Sequence, residues 1–178
     1  RYPDNSTANP IFGSAYVHLN LYEEAIASCK KAVKLNPENL AAFSILAEAY
    51  KKTSHLENAE AVYMAMAELN PQEAKAYYRQ AYQMYDRAGK FSSAIVPLRK
   101  IIALDPTNET NFYYFGLAYF KFQQYDEAAD AFKQSLALKP DFPHAWYQIG
   151  ATYFNQKKYL DAAMAYKKYA ALAPEDPS

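Results

Sequence analysis

The chain has one cysteine among its 178 residues, four glycines, and no excess of either charge, with 19 Lys and Arg against 19 Asp and Glu. A single thiol, Cys29, excludes an internal disulfide framework and any zinc site built on several thiolates. The glycines never fall into GxxxxGK or GxGxxG, so no phosphate-cradling loop is present. Zero net charge gives no overall field that would draw the chain to nucleic acid or to an anionic membrane. No apolar run reaches the roughly 18 residues of a membrane span, so no insertion is expected. His18, His55 and His144 lie far apart without HExxH spacing, and no residue is set beside a base as a nucleophile would be. The expectation is a protein without metal or cofactor and without enzymatic activity.

What is abundant is apolar and aromatic: 51% hydrophobic residues, 18 tyrosines and 10 phenylalanines. That is enough for a folded, core-forming chain. Residues 111–140 show how it is used. Phe112, Phe115, Gly116 and Tyr119 are spaced three, four and seven apart, which puts them on one face of a helix, and Ala128, Phe132 and Ser135 do the same further on. Two short amphipathic helices are predicted, joined at Gln123 and Gln124. Pro140 follows where it can stop the second helix without breaking it.

The same layout recurs. Pro3, Pro37, Pro71, Pro106, Pro140 and Pro174 fall 34, 34, 35, 34 and 34 residues apart. Leu35, Leu69, Leu104, Leu138 and Leu172 stand two residues before the last five of these, and are expected to close the apolar stripe of each second helix. Small residues keep the period: Gly13, Ala47, Ala81, Gly116 and Gly150 in the first helices, Ala25, Ala59, Ala94, Ala128 and Ala162 in the second. Close helix crossings explain both sets, because a larger side chain there would force the backbones apart at a cost of about 1 to 3 kcal/mol. Cys29 falls on an apolar helix face and reads as a small core residue.

With these residues in view the chain resembles the tetratricopeptide repeat (TPR) family, whose 34-residue helix-turn-helix unit carries aromatic, small and proline signatures. The large residue early in each first helix is Asn9, Phe43, Tyr77, Phe112 and Trp146, and the later aromatic is Tyr16, Tyr50, Met84, Tyr119 and Tyr153. Cys29, Tyr63, Leu98, Phe132 and Tyr166 stand midway along the second helices. Asn9, Cys29, Met84 and Leu98 depart from the pattern, so the first and third units are expected to fray first. The resemblance implies an all-α, right-handed superhelical solenoid of five tandem repeats, about 6–39, 40–73, 74–108, 109–142 and 143–176. The extra residue of the 35-residue interval is assigned to the turn at 86–90, which keeps Ala81 in the crowded position. Pro3, Asp4 and Asn5 repeat the phase of Pro37, Glu38 and Asn39, and no polar capping helix follows Pro174, so the chain reads as a piece of a longer array.

In the family the first helices line a concave groove, which implies a scaffold that binds a peptide or helical segment of a partner protein. Tyr78 with Tyr85, Tyr113 with Phe120, and Tyr147 with Phe154 are each seven apart on that face, with Tyr82 and Leu117 between them, an aromatic stripe suited to apolar anchors. Lys52, Arg79, Lys121 and Asn155 give it a polar, basic edge. Two specialised grooves do not match. The Lys and Asn clamp for chaperone termini is replaced by Pro10, Ser14, Ser44 and Glu48, and an asparagine ladder by Ile11, Ile45, Arg79, Tyr114 and Gln148. The alternatives are a structural spacer that associates with itself through open array ends, and the regulatory segment of a larger enzyme. The compartment is left open, with the cytoplasm slightly favoured.

Overall fold

A computed structural model describes residues 8–173. Among the described residues it contains ten helices and no strand: α1 (Ala8–His18), α2 (Tyr22–Leu35), α3 (Leu40–Lys52), α4 (Leu56–Leu69), α5 (Ala74–Arg87), α6 (Phe91–Leu104), α7 (Glu109–Lys121), α8 (Tyr125–Leu138), α9 (Pro143–Asn155) and α10 (Tyr159–Leu172). The chain is an all-α helical repeat protein. The in-phase residues Pro3 and Pro174 lie outside the described range.

Two compact units share the helices, Arg1–Met84 and Tyr85–Ser178. In the first, α1 packs on α2, α2 on α3 and α3 on α4, and α1 also touches α3. In the second, α6 to α10 pack in the same sequential way, and α7 also touches α9. The first helices α1, α3, α7 and α9 therefore each meet their own second helix, and α1 and α7 also meet the next first helix.

The small residues stand at these crossings. Ala25, Ala59, Ala81, Ala94 and Ala128 are fully buried, and Ala47 and Ala162 nearly so. A Cβ added at Gly116 would lie 2.6 Å from Phe132 Cε1, and one at Gly150 would lie 2.8 Å from Tyr166 Cε1. At Gly13 it would collide with Cys29 Sγ. The midway residue of each of these second helices thus fills the space its glycine leaves open. Cys29 is fully buried, and desolvation pushes its thiol up to about 11.

The turn between the two helices of a unit has one geometry throughout. The carbonyls of Tyr16, Tyr50, Tyr85, Tyr119 and Tyr153 accept from the N–H five residues on, at 2.8 to 3.0 Å. A second bond from the left-handed residue closes each turn, as in Asn20 N–H to Val17 O and Gln123 N–H to Phe120 O, both 3.0 Å. This is a Schellman motif, with Asn20, Ser54, Gly89, Gln123 and Lys157 at φ between 60° and 69°. Only one of the five is the glycine that this conformation favours.

That geometry corrects the placement of the extra residue. The turn after α5 is no longer than the others, and Tyr85, not Met84, gives its carbonyl to the turn. The insertion lies between Ala81 and Tyr85, inside α5, which has 14 residues against 13 in α3, α7 and α9. Residues three and four apart share a helix face, so the helix absorbs the change and still buries both Ala81 and Tyr85.

The leucines before the prolines are corrected too. Leu35, Leu69, Leu104, Leu138 and Leu172 are all exposed, from 39% to 53%. The stripe is closed one turn earlier by Ala32, Met66, Ile101, Ser135 and Tyr169, each buried. Ser135 is tolerated there because its hydroxyl donates to Glu109 O at 2.8 Å, tying α8 to the start of α7. In α6, Pro97 is buried in mid-helix and removes the N–H that would bond to the Ser93 carbonyl.

Candidate functional site

Along the first helices of the second unit, the aromatic residues divide between packing and surface. Tyr113 is half-buried, its ring 5.1 Å from that of Phe142 and 6.0 Å from that of Phe132. Burial and the neighbouring Tyr114 push its phenol up, against a hydrogen bond to Gln148 that lowers it. Leu117 and Phe120 are also half-buried, packed against the cluster of Phe132, Leu136 and Ile149. Phe120 meets Tyr125 edge-on at 5.6 Å, and Phe154 meets Tyr159 in the same way at 5.5 Å. Tyr147 stands against Tyr166 and Tyr169 at 5.8 and 5.3 Å. These rings are held from behind, and Tyr147 and Phe154 still leave 40% and 58% of their surface open.

Tyr85 does not share that surface. It is 1% exposed, and the register of its turn makes it the counterpart of Tyr119 and Tyr153. The residue in the register of Phe120 and Phe154 is instead Asp86, whose carboxylate accepts from Lys121 Nζ at 2.6 Å. Lys121 also lies over the Phe91 ring, 5.1 Å from its centre. Asn155 is exposed and donates to Ala151 O, one helical turn back.

The stripe expected from the sequence omits one exposed ring of α7. Tyr114 is 41% exposed and packs edge-on against Tyr113 at 5.6 Å. Its register, 34 residues before Gln148 on the next first helix, is that of the asparagine ladder which this chain lacks. The seven-residue spacing from Tyr114 to Lys121 was the available signal.

In the first unit, Tyr78 and Tyr82 are half-buried and Arg79 is exposed on α5. Lys52 is exposed at the end of α3 and lines a polar cleft of about 260 Å³ with Ser14, His18, Asn20, Tyr22 and Glu48. Among the described residues no three His, Cys, Asp or Glu side chains are grouped to hold a metal ion, and no helix is long and apolar enough to cross a membrane.

Comparisons with known proteins agree with this architecture. A TPR repeat model matches residues 13–54 and 116–157, and a tetratricopeptide repeat model matches 143–176. The model of anaphase-promoting complex, cyclosome, subunit 3 matches residues 52–135. No curated protein sequence matches the chain. Among solved structures, a crystal structure of MamA protein is 22% identical, covering 96% of this chain and 92% of its own, with a TM-score of 0.63. MamA 41-end from Desulfovibrio magneticus RS-1 is 16% identical, covering 97% of each chain at 0.62. YrrB, titled a TPR protein with an unusual peptide-binding site, is 17% identical, covering 98% of this chain and 89% of its own at 0.64. At these identities the likeness is one of fold.

Proposed function

The chain belongs to the tetratricopeptide repeat family, and from that premise we propose that it is a non-enzymatic scaffold that docks a segment of a partner protein on its first helices. The observation that carries this reading is the row of supported but open rings on α7 and α9: Tyr114, Tyr147 and Phe154. Rings fixed by their neighbours lose little freedom when an apolar side chain settles on them, which is why such residues make good anchors. Tyr113, Leu117 and Phe120 form the base behind them, and Lys121 and Asn155 the polar edge. In the first unit the same role falls to Tyr78, Arg79, Tyr82 and Lys52. Peptide binding by the structurally similar YrrB is consistent with this use of the fold.

The test is an affinity capture comparing the native chain with a Tyr114→Ala, Phe154→Ala variant whose circular dichroism is unchanged. The partner should be lost from the variant alone. Equal retention by both would remove function from this face.

A second reading rests on α1, where Ile11 and Phe12 are 68% and 55% exposed, while Leu46, in the register of Phe12 on α3, is 5% exposed. An apolar face of this kind suits self-association through α1. Light scattering over a range of concentrations distinguishes the two: a mass that rises with concentration and falls back in Phe12→Glu supports assembly.

A further inference from the structure

The second unit carries another concavity, away from the open rings of α7 and α9. It has a volume of about 820 Å³ and is walled by the second helices α8 and α10 with α9 as its floor. Trp146, Ile149 and Tyr153 form the floor, and Leu136, Met164 and Ala171 the apolar walls. Its volume is that of a ligand pocket rather than of a packing defect. Lys133, Lys167 and Lys168 stand at its rim, with Asp161 as the one acid. Lys133 is held by Asp130 at 3.0 Å, which leaves Lys167 and Lys168 to set the sign of the rim.

One exposed residue beside this hollow departs from the repeat. Met164, 62% exposed, stands in the register of Asp130, Val96, Ala61 and Ala27, and Lys168 in that of Gln134, Lys100, Ala65 and Lys31. Leu160, 84% exposed one turn before Met164, stands where the other second helices have Glu23, Glu57, Ser92 and Asp126. Packing within the unit does not call for a leucine there, since its side chain is exposed.

We infer that this hollow is a second docking site, on the opposite helices from the proposed one, for a partner segment whose apolar side chains are flanked by Asp or Glu. The apolar side chains enter between Met164 and Trp146, and the carboxylates meet Lys167 and Lys168. Trp146 is the one tryptophan of the chain, so its emission reports on this site directly.

The experiment selects a random twelve-residue peptide library on phage against the whole chain, then titrates the selected peptides while following Trp146 fluorescence. Acidic, apolar peptides should emerge, change the emission, and bind about tenfold more weakly to a K167E, K168E variant, whose exposed charges leave the fold intact. Their affinity should be unchanged in the Tyr114→Ala, Phe154→Ala variant. The inference is overturned if no peptide alters Trp146, if charge reversal has no effect, or if the first-helix variant loses the same peptides.

Discussion

Replacing Gly116 by Ala sets two effects of known sign against each other. Alanine favours a helix over glycine by about 1 kcal/mol, so on propensity alone the variant would gain stability. The new Cβ would lie 2.6, 2.7 and 2.9 Å from three ring carbons of Phe132. That ring is fully buried, between Gly116 and the rings around Tyr113, and has no open space to swing into. Overpacking of such a site costs about 1 to 3 kcal/mol, enough to cancel the gain and leave a net loss of up to about 2 kcal/mol. For a chain of this size that is a fall in melting temperature of about 2 to 4 °C per kcal/mol. Gly150→Ala is the control, because its neighbour Tyr166 is only half-buried and can yield, so its loss should be smaller. Phe132→Leu should recover part of the loss in the Gly116→Ala background. Denaturant and thermal unfolding of the four variants measure this. A Gly116→Ala chain at least as stable as the native one, or losses that add within about 0.5 kcal/mol in the double variant, would refute the packing argument.

The five left-handed turn residues give a test with the opposite outcome at different positions: Gln123→Gly and Lys157→Gly should raise the free energy of unfolding by up to about 1 kcal/mol. Gly89→Ala should lower it by about 1 to 2, although nothing lies within 4 Å of the added Cβ, and a neutral Gly89→Ala would contradict the backbone argument. Cys29 should resist alkylation in the native state. Because its folded pKa is raised from 9.0 to about 11, its contribution is intact below the unfolded value and is lost as pH climbs from 9 towards 11, by about 2 to 3 kcal/mol. Equilibrium unfolding across that range should show a steeper alkaline decline in the native chain than in Cys29→Ala. Amide exchange should open the first and third repeats before the others, the third because Pro97 interrupts its second helix; finding α6 the most protected helix would overturn this.

The sequence was most legible where sterics leave one solution. Small residues at helix crossings and prolines past helix ends are forced, so the ten helices follow from the sequence. It was less legible where two solutions cost nearly the same. Spacings of three and four both return to one helix face, so Ala81 to Tyr85 could hide an added residue, and Tyr85 was read as surface when it is core. The leucines before the prolines misled for a related reason, since an apolar residue at a helix end looks like the last of a stripe that had already closed. Which rings stay open depends on what packs behind each helix. Tyr113 and Tyr114 are adjacent in sequence, yet one is wedged against Phe142 and the other faces outward.

The pairing of each helical glycine with the midway residue of its own second helix, Gly13 with Cys29, Gly116 with Phe132 and Gly150 with Tyr166, has a consequence for how such arrays can be recombined. Hole and filler travel together in one helical hairpin and are closed by a turn of constant geometry. A chimera cut between hairpins keeps every hole matched, whereas one cut inside a turn brings a hole from one parent to a filler from another. The hairpin, rather than the single helix, is therefore the smallest piece that can be exchanged without redesigning its interior.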